Sequence, residues 1–248
     1  MAKKFSHRRR RTFFSLFLLA AAAVYLLLNP NSYQYLSETN GSVQSAANIS
    51  LKDETTADST FATDVLESLA VRAKDESQKY YRKLFYSSWG TTSSGCNTRE
   101  AILQRDLTDL VMDGCKVQSG TLADPYTGTT VHFVRGQTTS SAVQIDHVVA
   151  LSNAWATGAY AFDSDTRYQL SQDPLNLLAV DGAANQEKLD QDASDWLPSN
   201  ENFQCQYVAR QISVKAKYHL WVTPAEKSTM QRVLAACPNE PTVGLENL

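Results

Sequence analysis

Residue types that usually hold zinc are scarce in this 248-residue sequence, which has four histidines and four cysteines. It contains no H-E-x-x-H run, no three-histidine spacing and no C-x-x-C pair, so the usual zinc hydrolase and zinc-ribbon patterns are absent. An excess of positive charge is missing as well. The formal net charge is −3, and it conceals an asymmetry. Six of the 23 basic residues (Lys3, Lys4, Arg8, Arg9, Arg10, Arg11) precede the first acidic residue, Glu38, leaving 17 basic against 26 acidic residues, or −9. Such a body argues against a protein that grips nucleic acid by general phosphate neutralisation. It leaves room for an enzyme that meets its substrate through a metal and a local basic patch. There is no internal repeat, and the composition is that of a globular chain.

What is present begins at the N-terminus. The basic block Lys3 to Arg11 runs into an apolar stretch from Phe13 to Leu28, ended by Asn29-Pro30-Asn31. This is the order of a secretory signal or an uncleaved signal anchor, and residues 1–28 are read as one or the other. Both place the remainder outside the cytoplasm, because the basic flank stays inside. An uncleaved segment would also make the membrane a partner. Residues 29–60, rich in Ser, Thr, Asn and Asp, read as a flexible polar linker. Cys96, Cys115, Cys205 and Cys237 suit an oxidising compartment and two disulfides. Three connectivities are open. Cys96–Cys115 and Cys205–Cys237 is the expected pairing, since each pair brackets a compact local segment.

From Phe61 the hydrophobic spacing becomes that of folded structure. Val65, Leu66, Leu69 and Ala70 follow helical spacing, Tyr80, Tyr81, Leu84 and Phe85 suggest a second short helix or its edge, and further helices are expected near residues 99–112, 150–172, 181–194, 204–218 and 224–236. The last opens on Thr223-Pro224-Ala225-Glu226, a capping box with proline at the first helical position. Strands are expected at Thr129–Val134, Val143–Val149 and Leu177–Val180. The fold class is α+β: a small sheet in mostly helical surroundings, spanning 61–237, with 238–248 as a C-terminal tail.

Three features carry chemistry. Asp146-His147 ends a strand, Asn176 precedes a second strand, and Asn185 and Lys188 lie on the helix that follows. Singly, each has a bland reading, Asn185 and Lys188 most of all, as a solvated helix face. Together, strand, strand and helix can close into a ββα unit. Asp146 and Asn185 supply hard oxygen ligands suited to Mg²⁺. A histidine of ordinary pKa, roughly 6.5, can take a proton from water. Neighbouring strand residues point to opposite faces, so both reach one site only where the strand ends or bulges.

The runs Ile145-Asp146-His147-Val148-Val149, Asp173-Pro174-Leu175-Asn176-Leu177 and Asn185-Gln186-Glu187-Lys188, with nine residues from Asn176 to Asn185, closely resemble the HNH (His-Me finger, ββα-metal) nucleases. The resemblance is closest to small secreted proteins related to the C-terminal nuclease domain of GmrSD-type restriction enzymes. It extends over Cys96-Asn97-Thr98-Arg99, Asp124-Pro125-Tyr126-Thr127-Gly128, Ala154-Trp155 with Gly158-Ala159, Trp196-Leu197-Pro198 and Val214-Lys215-Ala216-Lys217-Tyr218, and is looser around Gln78–Ser88. It implies metal-dependent hydrolysis of nucleic acid, DNA in the first instance, with no small-molecule cofactor. Asp146 and Asn185 are implied as ligands of Mg²⁺, Mn²⁺ or another divalent ion. His147 is implied as general base and Asn176 as its brace. Lys188, Arg210, Lys215 and Lys217 are the candidates for a substrate-facing basic patch. The alternative is a non-catalytic extracellular binding protein on a degenerate nuclease fold. The oligomeric state is not encoded in any motif.

Overall fold

The structure, a computed structural model, describes residues 61–244. The segments expected as signal or anchor (1–28) and linker (29–60) lie outside the described residues. The described residues form seven α-helices and two small antiparallel sheets, an α+β fold.

Helix α1 (Ala62–Ser68) buries Ala62 and Leu66 against the long helix α6 (Glu201–Lys217) and against α7 (Pro224–Leu234). Tyr207, Val208 and Ile212 of α6 are fully buried in that cluster. Each such side chain contributes roughly 1.5–3 kcal/mol by leaving water. The Thr223 hydroxyl accepts from the Glu226 amide and the Glu226 carboxylate accepts from the Thr223 amide, closing the capping box that starts α7. The chain past Cys237 belongs to the folded body: Ala62 donates to the Glu240 carbonyl at 2.9 Å, and the Val243 amide to Ser213 Oγ at 2.9 Å. The body thus continues beyond the boundary expected at 237.

Helix α2 (Thr98–Asp106) is capped by Asn97, whose side chain accepts from the Glu100 amide. It stops six residues before the expected end at 112. Leu107 is extended, and Thr108–Asp113 forms strand β1, paired with β2 (Lys116–Ala123) across a turn in which Gly114 has φ 57°. Leu110 still packs against the cluster that holds Leu103, Leu107, Val117 and Leu122, but from a strand. Strand pairing satisfies the backbone and overrides the helical spacing of those leucines. Strand β3 (Thr130–Val134) completes this sheet in the order β1-β2-β3. The Cys96–Cys115 disulfide ties the loop before α2 to the hairpin, and Cys205–Cys237 ties α6 to the end of α7.

The second sheet positions the site. Strand β4 (Val143–His147) pairs with β5 (Leu177–Asp181), from Val143 opposite Asp181 to His147 opposite Leu177. The connection holds α3 (Leu151–Ala156) and α4 (Ser164–Gln172). Helix α5 (Gly182–Lys188) follows β5 directly, with the Asp181 carboxylate accepting from the Ala183 and Ala184 amides. It packs on both strands and completes a ββα unit. A Cβ on Gly182 would collide with the Ser141 carbonyl, so glycine permits this close docking. α5 ends at Lys188, short of the 194 expected. Leu189 turns to φ 52°, and the following turn is held by Asp192, which accepts from Ser194 and pairs with Lys74 at 2.9 Å.

Candidate active site

A cleft of about 430 Å³ opens beside the ββα unit, lined by Asp146 and His147 of β4, Asn185 and Gln186 of α5, and Tyr80 and Arg82 from the segment before α2, among others. The register of β4 runs unbroken through Asp146 and His147, so no bulge brings them together. The strand ends at His147, and the cleft wraps around that end.

The His147 ring is 5% exposed and lies parallel to the Trp89 ring, with centroids 5.9 Å apart, while Tyr86 flanks it at 5.8 Å. Its Nε2 sits 2.9 Å from the Ser171 carbonyl oxygen. A carbonyl only accepts, so Nε2 carries the proton and Nδ1 keeps its lone pair. Burial pushes the imidazole down to about pKa 3, against a partial opposing effect of the Ser171 carbonyl, and the charges of Arg82 and Lys188 lower it further. The ring is therefore neutral at neutral pH. Asn176 is fully buried. Its Oδ1 accepts from the Val149 amide at 2.8 Å, its Nδ2 donates to the Val149 carbonyl at 3.2 Å, and its own carbonyl accepts from Val148. These bonds clamp the chain immediately after His147.

Asp146 is 6% exposed, and two groups hold its carboxylate, one on each oxygen. Lys188 Nζ donates at 3.0 Å, Tyr126 OH donates at 2.5 Å, and the Lys188 ammonium also reaches the His147 carbonyl at 3.0 Å. Burial pushes the Asp146 carboxyl up, while Lys188 and Tyr126 pull it back towards the ionised form. Tyr126 is delivered by the Asp124–Gly128 turn. Asp124 Oδ2 accepts from the Thr127 amide and hydroxyl, its Oδ1 accepts from the Asp181 amide, and Gly128 has φ 73°. Sequence reading recognised this run as a turn and missed the tyrosine's contact with Asp146.

Asn185 is oriented by a short chain of amides. The Ser141 carbonyl can only accept, so Gln144 presents its Nε2 there, at 3.4 Å. Gln144 Oε1 then accepts from Asn185 Nδ2 at 2.9 Å. That leaves Asn185 Oδ1 with no hydrogen-bond donor among the described residues, on a residue that lines the cleft. The Asn185 oxygen and the Asp146 carboxylate, whose oxygens also accept from Lys188 and Tyr126, are hard donors of the kind a divalent cation takes. Two protein oxygens with room for water and phosphate suit Mg²⁺ better than a closed all-protein cage. Elsewhere among the described residues, Cys205, Cys237 and Glu240 come close together, but both sulfurs are spent in the disulfide.

The basic patch expected from Lys188, Arg210, Lys215 and Lys217 needs correction, because none of the four lines the cleft. Lys188 is fully buried on Asp146. Lys215 is fully buried on Glu226, at 2.8 Å, and on the Trp221 carbonyl. Lys217 pairs with Asp173 at 2.6 Å, and Arg210 donates to the Leu175 carbonyl and borders a different pocket beside Glu240. A buried carboxylate draws in the nearest long cation, since an unpaired buried charge is far costlier than a pair.

Fold and site together define an α+β domain whose ββα unit places His147, Asp146 and Asn185 along one cleft. Residues 56–233 match the family described as GmrSD restriction endonucleases, C-terminal domain, and the chain belongs to that family. It is also 40% identical over 179 residues, covering 71% of this chain and 84% of the relative, to an uncharacterized secreted protein of Arthroderma benhamiae. No solved structure matches the chain.

Proposed function

We propose that the protein is an extracytoplasmic, metal-dependent endonuclease of HNH type that hydrolyses phosphodiester bonds, DNA being the first substrate to test. The observation that carries this reading is the His147 tautomer. With Nε2–H committed to the Ser171 carbonyl, Nδ1 is left as the ring's proton acceptor, on a residue that lines the same cleft as Asp146 and Asn185. His147 takes the proton of the attacking water at Nδ1, and Trp89 and Ser171 hold the ring in plane. Asn176 acts as a brace, fixing the chain beyond His147. Asp146 and Asn185 would hold the divalent ion, Mg²⁺ or Mn²⁺, and a bound ion would supply stabilisation of negative charge on the phosphate and the leaving oxygen. Lys188 and Tyr126 hold the Asp146 carboxylate in place and partly offset the upward push of burial on it.

The extracytoplasmic placement is supported by the basic and apolar N-terminus, by the two disulfides, and by the secreted description of the Arthroderma relative. Nicking of supercoiled plasmid, with DNA and RNA in parallel, across several metals and with a chelator control, tests the activity. Chelator-sensitive cleavage is the expected result. A pure protein that cleaves neither polymer with any divalent metal leaves the non-catalytic binding protein as the reading. An alkaline phosphatase fusion after Thr60 is expected to be active, and an inactive one removes the placement.

A further inference from the structure

The cleft has no cation on its α5 side, but Arg82 lines its other wall and lies within a basic segment. The segment Lys79-Tyr80-Tyr81-Arg82-Lys83 places three cations in five residues of an otherwise acidic body. Lys79, Arg82 and Lys83 are all exposed. Among the described residues, the ion pairs consume Lys74, Lys188, Lys215, Lys217, Lys227, Arg99, Arg105 and Arg135, and none of the three, although Arg82 donates to the Tyr86 hydroxyl and lies over that ring. Between them stands Tyr81, 45% exposed, with the Lys79 and Lys83 ammonium groups 5.2 and 5.8 Å from its ring centroid. Its neighbours Tyr80 and Arg82 line the cleft, and Arg82 lies near enough to His147 for its charge to act on the ring.

This wall is held firmly. Tyr80 packs on Phe85 and Trp155, Trp155 Nε1 donates to the Gln78 carbonyl at 2.8 Å, and Arg167 Nε donates to the Leu84 carbonyl at 3.1 Å. An exposed ring on a fixed support, next in sequence to two cleft residues and covered only by two mobile lysine ends that form no ion pair, can stack an unpaired base once those ammonium groups move from the ring to the neighbouring phosphates. A base within a duplex offers no free face to such a ring.

We infer that Lys79, Tyr81, Arg82 and Lys83 form the substrate-binding wall of this site, and that its substrate is a single-stranded nucleic acid or an unpaired stretch of one. This rests on the nuclease reading above and adds the substrate class to it. The test is fluorescence anisotropy of a labelled thymidine 20-mer with full-length His147→Ala protein in chelator, alongside plasmid and oligonucleotide cleavage by the wild type with metal.

The single strand is expected to bind more tightly than the same length of duplex. Adding Tyr81→Ala is expected to weaken binding by roughly 5- to 150-fold, the range for one lost base stack, and Tyr81→Phe to retain it. The Lys79→Ala, Arg82→Ala, Lys83→Ala triple variant is expected to lower the magnitude of the salt slope, log K against log salt, by about 2. Lys116→Ala, an exposed lysine of β2, is the control expected to change nothing. Wild-type cleavage with unchanged binding by Tyr81→Ala, or with duplex preferred, overturns the wall and leaves the nuclease reading standing. The expected binding pattern without cleavage supports the wall and overturns the nuclease reading. Neither binding nor cleavage overturns both.

Discussion

Lys188 Nζ lies 3.0 Å from the Asp146 carboxylate, and neither side chain has appreciable contact with solvent. The lysine therefore supports the site from beneath. Lys188→Met strands a buried carboxylate and is expected to cost about 3–5 kcal/mol in urea unfolding. A loss under 1 kcal/mol would show that the pair does not persist in solution.

The proposed roles of base and ligands separate in two measurements. His147→Ala is expected to lower plasmid cleavage by roughly 10²–10⁴-fold while calorimetric metal titration stays near wild type. Asp146→Ala and Asn185→Ala are expected to weaken metal binding, with some activity recovered at high metal concentration. Wild-type cleavage by His147→Ala would remove the base assignment. Unchanged metal binding in the double ligand variant would remove the metal site.

Gln144 touches no substrate in this scheme; it is a positioning residue for Asn185. Gln144→Leu frees the Asn185 amide to rotate, and metal affinity is expected to fall about 10–100-fold, as when other outer-sphere partners are lost. Gln144→Glu retains an acceptor for Asn185 Nδ2 and is expected to rescue most of the affinity. Equal affinities for Gln144→Leu and wild type would show that Asn185 needs no such support.

Acid sensitivity follows from the burial of His147. Its folded pKa, about 3, lies below the unfolded value, about 6.5, so between these limits the unfolded chain binds the extra proton. Stability then rises with pH across the window and is lost as pH falls through it. In chelator, urea midpoints from pH 7 to 4 are expected to fall for the wild type and to fall less steeply for His147→Gln. Parallel profiles would show that the ring is protonated in the fold.

Much of the fold is carried by local signals. Asn97, Asp163, Asp181 and Thr223 each cap a helix with a side chain a few residues from the amide it serves. The β-branched run at 143–149 and the short run at 177–180 pair as β4 and β5. The β1–β2 hairpin was the chief miss. Asp113-Gly114 is a hairpin signal, but the helical spacing of Ile102, Leu103, Leu107 and Leu110 masked it.

By itself the sequence determined the order strand, strand, helix, the placing of Asp146, His147, Asn176 and Asn185 along it, and the caps that start its helices, because each of these depends on neighbours within a turn or two. Tertiary structure alone decided what each site group faces. The Ser171 carbonyl that sets the His147 tautomer is 24 residues away, Tyr126 is 20 residues from Asp146, and Lys188 is 42 residues from it. A lysine three residues after an asparagine on a helix reads as solvated decoration until a buried carboxylate supplies the charge that draws it in. Burial is a property of the assembled packing, so no local pattern announces which cations turn inward and which, like Lys79 and Lys83, stay exposed.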